Sequence, residues 1–132
     1  MNNTSIDLPG SEIFYIRQID DSVIIHFSRA FIIKSITGSL ERTRWWQSGD
    51  LILEGVTIHT VLPEGPLVCA GGDIVDNVFT YRDMIPLPLA SNGLVGCHLY
   101  FKGHPPPLNI KARNVRLEMS GIPKYIEHIR NN

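Results

Sequence analysis

The chain has 132 residues, of which 43% are hydrophobic and 19% charged, and its formal net charge is −1. That length lets one domain bury a core without disulfides or metal, and the composition excludes a disordered or low-complexity chain. A near-neutral balance supplies no field to draw the protein to nucleic acid or to an anionic membrane, so neither partner is expected.

The opening Met1-Asn2-Asn3-Thr4-Ser5-Ile6-Asp7 has neither the basic segment nor the apolar run of a signal peptide, and no apolar run reaches membrane-spanning length. A cytoplasmic protein is expected, a single all-β domain over 1–132, with residues 1–10 as a flexible N-terminal segment. Cys69 and Cys97 are then expected as buried small hydrophobes and not as a disulfide.

In chain order, Glu12 to Ile19 alternates as a strand and Asp20-Asp21-Ser22 supplies a turn. Val23 to Phe27 and Ala30 to Lys34 follow, either as one long bent strand or as a pair. Thr37-Gly38-Ser39 breaks the pattern. The segment Glu41 to Gln47 holds Trp45 and Trp46, the two tryptophans of the chain, behind Arg42 and Arg44. Ser48-Gly49-Asp50 before Leu51 to Glu54 has the form of a hairpin connection, which places the tryptophans at the end of a hairpin arm. Gly55 interrupts the apolar stretch that continues to Val61, as a bulge or corner would.

From Pro63 to Ala90 the pattern is irregular. Pro63-Glu64-Gly65-Pro66 and Gly71-Gly72-Asp73 have the composition of turns, and Pro86 and Pro88 make Ile85 to Leu89 an edge strand or an extended loop. Asn92-Gly93 predicts a tight turn. Leu94 to Lys102 alternates, His104-Pro105-Pro106-Pro107 is a stiff connector, and Val115, Leu117 and Met119 alternate with Arg116 and Glu118. At the end, Ile122, Tyr125, Ile126 and Ile129 fall at helical spacing after Pro123, which predicts one short C-terminal helix.

These elements predict an antiparallel β-barrel of about eight to ten short strands with a short C-terminal helix, the alternative being a jelly-roll or Greek-key sandwich. The meander is similar to that of small ligand-holding barrels of the lipocalin and streptavidin type. The likeness stops there, because no Gly-x-Trp stands near the first strand.

Extended geometry puts Arg42, Arg44 and Trp46 on one face and Thr43, Trp45 and Gln47 on the other. Arginine can take a carboxylate or phosphate while an indole stacks on a flat group, so Arg42, Arg44 and Trp46 are candidate ligand residues. The second candidate cluster is Asp73, Asn77, Tyr81 and Arg82, beside the paired glycines Gly71 and Gly72. Its spacing does not match an EF-hand loop. The histidines His26, His59, His98, His104 and His128 show no pairing at two, three or four residues, so neither a metal nor a cofactor is expected. No nucleophile elbow, Walker loop or dinucleotide fingerprint occurs, and no residue is assigned a catalytic role. The expected function is a small-molecule binding module, holding a polar or anionic ligand at one barrel end with the Arg/Trp cluster. The alternative is a protein-interaction or homo-oligomeric assembly module.

Overall fold

A computed structural model describes residues 2–58 and 60–130. Within them run nine strands: β1 (Asn2–Ile19), β2 (Ser22–Ile36), β3 (Glu41–Glu54), β4 (Thr57–Ile58), β5 (Leu67–Asp76), β6 (Phe79–Arg82), β7 (Met84–Pro86), β8 (Ala90–Phe101) and β9 (Leu108–Arg130). Every pairing is antiparallel, in the order β6-β5-β8-β9-β3-β2-β1-β7, with β4 on β9. A short contact of β1 with β5, Glu12 opposite Val68 and Ile13 opposite Leu67, closes six strands into a ring. The protein is therefore all-β.

The alternating apolar positions read from the sequence are the ones turned inward. Val23, Ile25 and Phe27 of β2, Leu51 and Leu53 of β3, Val95, Cys97, Leu99 and Phe101 of β8, and Leu108, Ile110 and Val115 of β9 fill the ring. Their burial is the main force that holds it closed.

The longest strands, β1, β2, β3 and β9, are each bent by a bulge at a common level. The register slips between Asp7 and Glu12 of β1, between Phe27 and Ala30 of β2, and between Trp46 and Ser48 of β3, where 121–123 of β9 are left over. A bulge leaves ladder groups unpaired, and polar side chains replace the missing partners here. The buried Ser11 hydroxyl donates to Asp7 O at 2.7 Å and accepts from Phe31 N at 3.1 Å. Ser48 Oγ donates to Ser28 O at 3.1 Å, and Gln47 Nε2 to Gly121 O at 3.0 Å. Below the bend these strands belong to the ring. Above it they form a four-stranded extension flanked by β7.

Several sequence expectations are corrected. Val23 to Lys34 is one long strand, the first of the two readings left open, whereas Ser48-Gly49-Asp50, expected as a hairpin connection, is the middle of β3 with no turn; Gly49 is small because a Cβ there would stand 2.6 Å from Met119 Sδ. Gly71-Gly72-Asp73 continues β5, and a Cβ on Gly72 would lie 2.2 Å from the His98 carbonyl oxygen, so glycine serves close strand packing. Asn92-Gly93 is a bulge inside β8, with Gly93 at φ 121°. Residues 3–7, expected as a flexible lead, pair with β2 and in part with β7.

The C-terminal helix is absent: β9 runs on to Arg130. Ile122 is 81% exposed and Tyr125 54%, so the helical spacing gathers no packed face. The backbone of β3 from Glu41 to Trp46 needs ladder partners, and Arg130 to Lys124 supply them. Pro123 falls in the bulge, out of the ladder.

Candidate functional site

Cross-strand register sorts the extension into rows. On the inner face Ile6, Ile32, Trp45 and Tyr125 form one row, and Thr4, Lys34, Thr43 and His128 form the next row outward. On the outer face the rows are Asp7, Phe31, Trp46 and Lys124, then Ser5, Ile33, Arg44 and Glu127, then Asn3, Ser35, Arg42 and Ile129. Arg42, Arg44 and Trp46 thus share a face, with Trp45 opposite. Trp45 packs against the core, donates from Nε1 to Thr43 Oγ1 at 2.8 Å, meets Tyr125 edge-on at 5.3 Å and carries Lys34 Nζ 4.4 Å above its ring. Trp46 lies between two cations, Arg29 at 4.7 Å and Lys124 at 5.2 Å.

Arg44 reaches Asp7 at 3.7 Å and stands 5.8 Å from the Phe31 ring, while its buried Nε has no hydrogen-bond partner. Burial pushes the Asp7 carboxyl above its ordinary range, against the pull of Arg44; the Asp83 carboxylate adds to the rise and Arg42 opposes it.

Two grooves open at the end of the extension and share Thr4, Ser35 and Arg42. The first, about 370 Å³, adds Lys34, Thr43, Glu41 and His128; the second, about 430 Å³, adds Asn3, Ser5, Ile33 and the β7 segment. Among the described residues the Arg42 side chain makes no hydrogen bond or ion pair, and Lys34 makes no ion pair and rests on Trp45. Two cations with unspent donors therefore face hydroxyl-bearing walls. His128 Nε2 lies 3.2 Å from Glu41 Oε2, whose other oxygen is 3.7 Å from Arg130 Nε.

The second sequence cluster lies elsewhere. β5, β8 and β9 separate β6 from β3 in the strand order, so the seven candidate residues fall into two groups. Asp73 faces Arg82 across the β5–β6 hairpin at 3.3 Å, with the Arg82 side chain 79% exposed. Tyr81 stacks on Phe79 at 6.4 Å and packs against the core. Asn77 sits at φ 57° in the hairpin turn. Its amide nitrogen donates to Asn92 O at 2.9 Å and its oxygen accepts from Leu94 N at 2.9 Å, so the side chain repairs the β8 bulge. Asp83 does the same for the paired glycines, accepting from Gly72 N at 3.0 Å.

Elsewhere, His26 Nδ1 bonds Asp50 Oδ1 at 2.6 Å and its ring stacks on Tyr15 at 4.9 Å. His59 lies outside the described residues. Both cysteines are free and buried; burial pushes the Cys69 thiol up to about 11 and raises Cys97 too, which keeps both protonated and unreactive. Among the described residues no group of three or more His, Cys, Asp or Glu side chains is placed to hold a metal ion, and no helix is long and apolar enough to cross a membrane.

Lys34, Thr43 and His128 were missed as site residues. Period-two parity with Trp45 points to Thr43, Lys34 joins it only through the register of β2 on β3, and helical spacing hid His128. Comparison with protein-family models, with curated proteins and with solved structures finds no match to this chain.

Proposed function

We propose that the protein is a binding module for a small anionic ligand, held at the open end of the extension by Arg42 and Lys34. In this reading the six-stranded ring is a small filled barrel that acts as a scaffold, the ligand lies on its end and not inside, and the protein works in the cytoplasm. The carrying observation is that Arg42 and Lys34, neither spent on an ion pair, line one groove of about 370 Å³ with Thr4, Ser35 and Thr43, where Lys34, Thr4 and Thr43 belong to the inner face and Arg42 and Ser35 to the outer. Cations with free donors, backed by an indole, suit phosphate, sulfate or carboxylate groups. Arg44 and Trp46 on the outer face support the strands that carry Arg42. The Asp73, Asn77, Tyr81 and Arg82 hairpin serves as a brace.

Lys34 ties the groove to Trp45, so ligand binding should change tryptophan emission. A screen of inorganic phosphate, sulfate, citrate and nucleotides, read by emission and thermal shift, is expected to give saturable binding that Arg42→Gln and Lys34→Gln each weaken. Saturable binding unaffected by both substitutions, or no binding across the screen, contradicts the proposal.

A second reading is an interaction or homo-oligomeric module. It rests on the edge of β9 beyond Leu117, which has β3 on one side only among the described residues and exposes Ile122, Tyr125 and Ile126. Pro123, Lys124 and two bulges on that edge discourage strand addition. A concentration-dependent increase in mass by sedimentation, abolished by Ile122→Lys, would favour it.

A further inference from the structure

We infer that His128 is the proton-dependent third cation of the anion groove, so that the ligand is an oxyanion bound more tightly in mildly acidic solution than in alkaline solution. This rests on the groove reading above.

His128 stands in one cross-strand row with Thr4, Lys34 and Thr43, and all four line the same groove with Arg42. Each strand of the extension places one member: a hydroxyl from β1, an ammonium from β2, a hydroxyl from β3 and an imidazole from β9. Glu41 of β3 contacts the imidazole and is shared with Arg130 of β9; Lys34 of β2 stands in the same row and on the same face, and Arg42 of β3 lines the groove from the other face. Glu127, one residue away, pairs in register with Arg44 and turns to the other face.

Glu41 is the acid among the groove-lining residues, and its two oxygens are directed at His128 and Arg130. With the imidazole neutral, Lys34 and Arg42 face one carboxylate. Taking up a proton gives the rim a third positive charge, which offsets the Glu41 carboxylate that otherwise repels an incoming anion. Histidine is the side chain that makes this change between pH 5 and 8. An ionised donor bonds an anion about tenfold more strongly than a neutral one.

Sulfate is the probe, because its charge is constant over this range while phosphate titrates. Its dissociation constant is measured at pH 5.5 and pH 8.0 by calorimetry on the full chain, for the wild type, His128→Asn and Glu41→Gln, with thermal unfolding checked at both pH values. The wild type is expected to bind roughly tenfold more tightly at pH 5.5. His128→Asn should bind with the weaker, alkaline affinity at both pH values, and Glu41→Gln should bind more tightly than wild type at both. Sulfate binding whose pH dependence survives in His128→Asn overturns this inference and leaves the groove reading standing. Absence of sulfate binding to wild type at both pH values also overturns this inference, while the groove reading then falls only if phosphate, citrate and nucleotides fail to bind as well.

Discussion

The ring and the extension share four strands, β1, β2, β3 and β9, yet they use them in opposite ways. Below the bend, the inward positions of β2, β3 and β9 are apolar and almost fully buried, as at Phe27, Leu51 and Val115. Above it the inner face is apolar for one row only, Ile6, Ile32, Trp45 and Tyr125, and turns polar at Thr4, Lys34, Thr43 and His128. Ring closure buries both ends of every inward row, whereas the extension ends in solvent. The same backbone thus yields a stable scaffold and a polar end, and the line of bulges separates them. One bend across four strands requires several local repairs, and Ser11, Ser48 and Gln47 provide them.

The sharpest way to break the comparison is to empty the ring. Phe27→Ala removes a fully buried side chain and should cost about 3 to 5 kcal/mol in denaturant unfolding. A loss below about 1 kcal/mol would mean that Phe27 does not anchor a packed interior. The bend itself is tested next. Ser11→Ala deletes a buried hydroxyl that bonds Asp7 O and Phe31 N, and should cost about 1 to 3 kcal/mol. Hydrogen exchange at the Phe31 amide should speed up, while that at Ile25 speeds up no more than the loss of global stability requires. At the end of the extension, Arg42→Gln should leave stability within about 0.5 kcal/mol while weakening anion binding, because the side chain is exposed and bonds nothing in the protein.

The smallest effect concerns pH. Burial raises the folded-state pKa of Asp7 above its ordinary value, so the folded protein holds that proton more tightly than the unfolded chain. The resulting cost to stability is absent below the ordinary carboxylate range and fully present once the pH exceeds the folded value. Asp7→Asn should therefore lose the part of the acid-side rise in stability that the wild type shows. Identical profiles of unfolding free energy against pH for the two proteins would contradict this.

Much of the ring was legible in the sequence, because period-two alternation in Val23 to Phe27, Leu94 to Lys102 and Val115 to Met119 records which residues face a core. The turns were less legible. Gly49, Gly72 and Gly93 look like turn glycines, yet the first two are small to admit Met119 and the backbone of β8, and the third forms a bulge. Such causes lie in residues distant along the chain, and local composition does not carry them. The end of β9 misled for the same reason: β3 determines its conformation, and the isoleucine spacing does not. The division of the tryptophans between two faces was legible from strand geometry alone. Which of them adjoins the row of Lys34 and His128 was not, since that depends on the cross-strand register of β2, β3 and a segment of β9 that looked helical.

The most direct test of the division between scaffold and binding end is a sulfate titration of the isotopically labelled protein, followed by amide chemical shifts. Saturable shifts confined to Thr4, Lys34, Ser35, Arg42, Thr43, His128 and their neighbours, with Phe27, Leu51 and the Asp73 to Arg82 hairpin unmoved, are the predicted result. Shifts centred on that hairpin, or no saturable shift at the end of the extension, would contradict it.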